Sequence, residues 1–179
     1  TPLKNVTEAD MGSEHAVVLI NNGFVYSTGL GTSGQLGNGV SDSTDGYVRV
    51  VDSEGNYFEN AVNISAGYNQ SASVAKGGAL YMWGDNSSKQ LGDDSATSKS
   101  SATRVVKGHN IHETSDYLSN VTTVSLGNTV TTAINTDGTV WTFGTNVSGV
   151  LGDFVNYDYT GAHMVGPVDY YALNFDNVE

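Results

Sequence analysis

The sequence predicts an all-β chain assembled from three consecutive repeats, and three observations carry that expectation. Glycine is abundant, at 22 of 179 residues, against two prolines and no cysteine. Valine, threonine and tyrosine accompany it, a composition that favours short strands and tight turns over helices. A set of glycines also recurs along the chain at fixed spacing, which marks a repeat architecture.

Gly12, Gly67 and Gly127 open the three units, 55 and then 60 residues apart. Eleven residues after each stands Gly23, Gly78 or Gly138, and seventeen after each stands Gly29, Gly84 or Gly144. Twenty-five residues on come Gly37, Gly92 and Gly152, preceded by Leu36, Leu91 and Leu151. The block has no internal gap in any copy, so length varies only outside it.

Each unit reads alike. A β-favouring stretch enters the first glycine, as in Val62–Ile64 and Val121–Val124. An apolar strand follows it: Ala16–Ile20, Ala72–Ala75 or Thr131–Ile134. The pairs Asn22-Gly23, Gly77-Gly78 and Asp137-Gly138 then supply the positive φ of a two-residue hairpin. The return strand has Tyr26, Tyr81 and Trp141 at one matched place, and Thr28, Trp83 and Phe143 at a second. The third glycine ends that strand where a side chain would block close backbone approach. A polar loop leads to the Leu-Gly pair, and the variable segment follows.

The stretch from Gly67 to Gly92, with Tyr-Met-Trp-Gly-Asp-Asn at 81–86 and Gln-Leu-Gly at 90–92, resembles the regulator-of-chromosome-condensation repeat. Gly12–Gly37 ends in the same Gln-Leu-Gly, whereas the third unit keeps Trp141, Asn146 and Leu151 but has Val150 in place of Gln. The resemblance implies β-propeller blades, each an antiparallel four-stranded sheet, making three repeats of a partial propeller. The repeats fall at 1–59, 60–119 and 120–175, with 176–179 starting a fourth. The chain departs from the family in places. The histidine three residues after the first glycine survives only as His15, replaced by Gln70 and Val130, and the usual proline of the outer strand occurs only as Pro167.

Propellers close with four to eight blades, so three do not make a ring. Phe175–Glu179 resembles Phe58–Val62, and Pro2–Val6 resembles an outer strand entering a repeat. The expectation is a segment of a longer array, or a chain that covers its open blade faces with other copies of itself, six blades from two copies being the simplest closed form.

Composition narrows the functions. With a net charge of −12 and seven Lys and Arg, no basic patch can be assembled, which argues against nucleic acid and anionic membranes as partners. No apolar run reaches membrane-span length. Abundant Asp, Asn, Ser and Thr with little Lys fits an extracellular or cell-surface location.

Candidate binding residues lie in the loops after each first glycine, which differ between repeats: Glu14 and His15, then Tyr68, Asn69 and Gln70, then Asn128 and Thr129. In the family such loops line one face around a central channel; the alternative is plain solvated turns. Tyrosines of the variable segments (Tyr47, Tyr57, Tyr117, Tyr157, Tyr159, Tyr170 and Tyr171, with Phe58) suit either an interface or packing between blades. Asp52, Glu54, Asn56 and Glu59 space oxygen ligands as a calcium loop does, but without full EF-hand spacing, and a hairpin tip explains them equally. His109 and His112 have the wrong spacing for a metalloprotease helix and read as surface residues. Sequons occur at Asn5, Asn63, Asn69, Asn86, Asn120 and Asn146.

No nucleophile elbow, phosphate loop or cysteine nucleophile is present, so no catalytic residue, metal or cofactor is assigned. The expected function is a non-catalytic protein-interaction or assembly scaffold whose partner is a protein or further copies of this chain. A secreted enzyme inhibitor of the propeller type and an exchange factor for a small GTPase are the alternatives.

Overall fold

The computed structural model describes residues 2–108, 117–152 and 158–165. Among these, twelve strands form three antiparallel sheets of four, each sheet built in chain order. Blade 1 holds β1 (Val6–Met11), β2 (His15–Ile20), β3 (Val25–Gly29) and β4 (Thr44–Arg49). Blade 2 holds β5 (Ala61–Ala66), β6 (Gln70–Ala75), β7 (Ala79–Gly84) and β8 (Lys99–Arg104). Blade 3 holds β9 (Val121–Leu126), β10 (Val130–Asn135), β11 (Val140–Gly144) and β12 (Tyr159–Val165). The strands β1, β5 and β9 neighbour one another and form the inner edge of the array.

Two expectations are corrected here. Pro2–Asn5 are not part of an outer strand; Val6 opens the innermost strand of blade 1, and each blade takes its four strands from consecutive sequence. An asparagine with left-handed backbone, Asn5, Asn60 or Asn120, turns the chain into each inner strand at φ 59°, 64° and 60°. The hairpins have three-residue loops instead of two, as the pairs Ala75↔Ala79 and Asn135 N–H to Thr139 O show. In each the last residue is the left-handed glycine, with φ 81° at Gly23, 81° at Gly78 and 83° at Gly138. In the first and third hairpins this is the turn followed by one αL residue that three-residue hairpins favour, whereas in the second Gly77 also has positive φ, at 91°.

The core lies between blades. Val17, Leu19, Val25 and Val50 of the first repeat meet Phe58, Ala61, Ile64 and Trp83. Ala72, Val74, Leu80 and Met82 on the other face of blade 2 meet Leu118, Val121, Val124, Ala133 and Phe143. Strand alternation explains this division, because successive side chains of β6 and β7 point to opposite faces of the sheet.

Specific contacts repeat at both interfaces. The carbonyl of Gly23 accepts from Ala61 N–H at 3.0 Å, and that of Gly78 accepts from Val121 N–H at 3.0 Å. The Gln35 carbonyl accepts from Ser71 Oγ at 2.9 Å and from Trp83 Nε1 at 3.0 Å. One repeat on, the Gln90 carbonyl accepts from Thr131 Oγ1 at 2.8 Å. The Leu-Gly glycine follows from the same junction: a Cβ on Gly37 would stand 2.7 Å from the Trp83 indole, and one on Gly92 would stand 2.6 Å from the Phe143 ring. On blade 1, Ala16 and Thr28 occupy the places of these hydroxyl and aromatic residues. A second copy's blade 1 therefore cannot seat on blade 3 through the hydroxyl and indole contacts that Ser71 and Trp83 make.

Candidate functional site: the loop face at the ends of the inner strands

Each inner strand runs from the hairpin end of its blade, where Val6 pairs with Ile20, to the opposite end, where Met11 meets the first glycine. The three loops that follow converge there. Met11, Gly12, Ser13, Ala66, Gly67, Tyr68, Leu126, Gly127 and Asn128 surround a depression of about 290 Å³. A second hollow of about 350 Å³ adjoins it through Met11, Gly12 and Ser13 and reaches Glu14, Thr44 and Asp45.

The predicted binding residues divide between surface and interior. Glu14, Tyr68 and Asn128 are exposed, and Asn69 and Thr129 are half-buried. His15 and Gln70 are buried and join one blade to the next. His15 Nε2 lies 2.8 Å from Ser71 Oγ. Gln70 Nε2 donates to the carbonyls of Gly127 at 2.8 Å and Asn128 at 3.2 Å, while Gln70 Oε1 accepts from Asn69 N–H at 3.1 Å. Ser13 Oγ donates to the Tyr68 carbonyl at 2.6 Å. The loops are thus tied crosswise below their exposed side chains. Burial drives the His15 imidazole down to about 4, against a smaller upward pull from the Asp10 charge.

Sequence reasoning missed Met11 and Leu126, which carry apolar surface into the depression, Met11 at 75% exposure. It also missed Glu8 and Asp10. Glu8 accepts from Asn63 Nδ2 at 3.0 Å and Ile64 N–H at 3.1 Å, and Asp10 accepts from Ala66 N–H at 2.8 Å and Ser65 Oγ at 3.2 Å. Both carboxylates therefore hold the inner strand of blade 2. Burial raises the Glu8 carboxyl above its usual value, with the Ile64 N–H opposing and the Asp10 charge adding to the rise. Their alternate spacing on one strand face was the available signal.

Other candidates fall elsewhere. Asp52 Oδ1 accepts from the N–H groups of Glu54 and Asn56, each at 2.9 Å, so it shapes a hairpin tip. Asn86 and Asn146 are buried, and each accepts the N–H of its Leu-Gly leucine, Leu91 at 2.9 Å and Leu151 at 3.0 Å. These two sequons are loop-building asparagines. His109, His112, Pro167, Tyr157, Tyr170, Tyr171 and Phe175–Glu179 lie outside the described residues. Among the described residues no group of three or more His, Asp or Glu is placed to hold a metal, and no helix is long and apolar enough to cross a membrane.

No protein-family model matches the chain. The mouse X-linked retinitis pigmentosa GTPase regulator is 39% identical over 92 residues, covering 50% of this chain and 9% of the regulator. Human WBSCR16 superposes with a TM-score of 0.72 at 22% identity, over 96% of this chain and 40% of that one. Prp20p of Saccharomyces cerevisiae, the yeast RCC1, superposes with a TM-score of 0.64 at 20% identity, over 93% and 39%. Both superpositions extend across all three blades. The chain belongs to the regulator-of-chromosome-condensation repeat family. It spans under a tenth of the regulator's length and about two fifths of each solved chain. Within this family's repeat, the Asn side chain accepts the leucine N–H, and the Gln side chain accepts the N–H two residues before it, Ser33 at 2.8 Å and Ser88 at 2.8 Å, which explains the Asn and Gln positions. Repeat 1 has Gly31 where the others have Asn86 and Asn146, and repeat 3 has Val150 where the others have Gln35 and Gln90.

Proposed function

We propose that the chain is a non-catalytic protein-interaction module that receives its partner on the loop face. The observation that carries this reading is the contrast within that face. Exposed Met11, Tyr68, Glu14 and Asn128 stand over the buried, hydrogen-bonded pair His15 and Gln70. A rigid floor with adaptable and aromatic side chains above it is a favourable arrangement for a protein interface, since little order has to be gained on binding. Prp20p, which shares the fold, binds Gsp1p and histones. That precedent supports a protein partner for this chain without naming it.

The test is site-specific photocrosslinking from position 68 in an extract of the source cells, beside a probe at Tyr47 on β4. A discrete protein adduct from position 68 that is lost in Met11→Ala and absent from position 47 supports the loop face. Adducts of equal yield from both positions would overturn it. If the adduct is a small GTPase, nucleotide release measured with and without the chain decides whether the interaction is one of exchange.

A further inference from the structure

At the other end of the blades, away from the loop face, a cleft of about 810 Å³ opens between the Asp52–Tyr57 hairpin and the β6–β7 hairpin. Tyr57, Phe58 and Tyr81 form its aromatic walls, and Asp52, Glu59 and Lys76 supply its charged groups. The walls are held firmly. Phe58 is buried and meets Tyr81 edge-on at 4.9 Å between ring centroids, and Asp52 pins the hairpin through two backbone N–H groups.

Tyr57 already takes part in one stack. The Arg49 guanidinium lies 3.8 Å from its ring centroid, yet Tyr57 remains 57% exposed. The pairing recurs one repeat later, where Arg104 lies 4.6 Å from the Tyr117 ring and 5.3 Å from that of Tyr81. This end of the fold thus uses guanidinium on tyrosine as a recurring contact.

We propose that the cleft receives an arginine side chain from an extended segment of a protein partner, its guanidinium on the tyrosines and directed at Glu59 and Asp52. Three features select that occupant. Glu59 is exposed and has no hydrogen bond or ion pair to the described residues, and Asp52 Oδ2 meets only Asn56 Nδ2 at 3.5 Å. An apolar occupant would desolvate these carboxylates without replacing their water, and an anionic one would meet them together with Glu54 and a chain of net charge −12. A guanidinium answers both demands, because its plane stacks on an aromatic ring while its edge donates to carboxylates. Lys76 is the single cation among the lining residues. The cleft is separate from the loop face, so this inference stands or falls independently of the function proposed above.

The test is titration of the whole chain with a capped Gly-Arg-Gly-Arg-Gly peptide and its lysine counterpart, followed by backbone NMR shifts at physiological ionic strength. The expected result is shifts centred on residues 57, 59, 76 and 81, with the lysine peptide binding more weakly. Tyr57→Leu and Glu59→Gln should each weaken binding about three- to tenfold, in keeping with one lost stack or charge contact. Tyr57→Phe retains the ring and should bind as the unaltered chain does, and Met164→Ala on β12 of blade 3, outside the cleft lining, should change nothing. Equal binding of both peptides that is indifferent to Tyr57→Leu would reduce the effect to diffuse attraction by an acidic surface and overturn the proposal. So would shifts centred anywhere other than the cleft, or none at all.

Discussion

His15 of blade 1 and Ser71 of blade 2 form a side-chain hydrogen bond across the blade junction, with Nε2 2.8 Å from Oγ. Ser71 has one proton, and it points to the Gln35 carbonyl at 2.9 Å. The imidazole must therefore donate from Nε2, which leaves its buried Nδ1 as an acceptor with no partner. Protonating Nδ1 would create a buried charge whose new N–H has nothing to bond.

Acid should consequently weaken the junction. The folded-state value of His15, about 4, lies below the ordinary 6.5, so between these values the unfolded chain binds more protons. Stability is fully present above pH 6.5 and falls as pH drops toward 4, by up to roughly 3 kcal/mol from this group. Glu8 works in the opposite sense, since its raised carboxyl favours the folded state at the acid end of the window. Urea midpoints at pH 7.5 and 4.5 check the balance. His15→Gln, which imitates Gln70 of the next repeat, should flatten the dependence; an unchanged slope would remove His15 as its source.

The hairpin glycines should separate by position. Gly78 and Gly138 share a left-handed backbone, so alanine at either should cost about 1 kcal/mol. At Gly78 the added methyl also stands 2.6 Å from Asn120 Cα, whereas at Gly138 it meets nothing within 4 Å. Gly78→Ala is therefore the more damaging of the two in chemical denaturation. Equal losses would show that packing against the next blade contributes nothing.

Trp83 should reveal how much of the junction is volume and how much is hydrogen bonding. Trp83→Ala empties a fully buried site and should cost about 3–5 kcal/mol. Trp83→Phe keeps most of the ring and loses the bond to the Gln35 carbonyl, which Ser71 still satisfies, so about 1 kcal/mol is expected. Thermal melts in which both variants behave alike would contradict this division.

The acidic surface should exclude nucleic acid. With a net charge of −12, no tight, salt-sensitive binding to a random DNA or RNA duplex is expected at about 0.15 M salt. A filter-binding isotherm in that buffer is sufficient to check it.

The glycine columns, the paired strands and the aromatic positions were legible in the sequence because they are local. A left-handed turn favours glycine or asparagine whatever surrounds it, and strand alternation needs only neighbours in sequence. The repeat even marked the blade junction through Leu36-Gly37 and Leu91-Gly92, although not the reason for it. That reason is tertiary: Trp83 and Phe143 come from the following blade and lie where a Cβ would have to be. The same holds for His15 and Gln70. Their sequence positions read as loop and binding surface, yet they open β2 and β6, and the neighbouring blade supplies Ser71, Gly127 and Asn128 as partners and turns both side chains inward. Residues 46 or more positions apart decide these contacts, so no pattern within one repeat discloses them. What the sequence determined by itself was the repeat and its strands, because turn and strand preferences act over a few residues. What only the tertiary structure decided was which face each loop residue joins, because burial depends on the blade beside it.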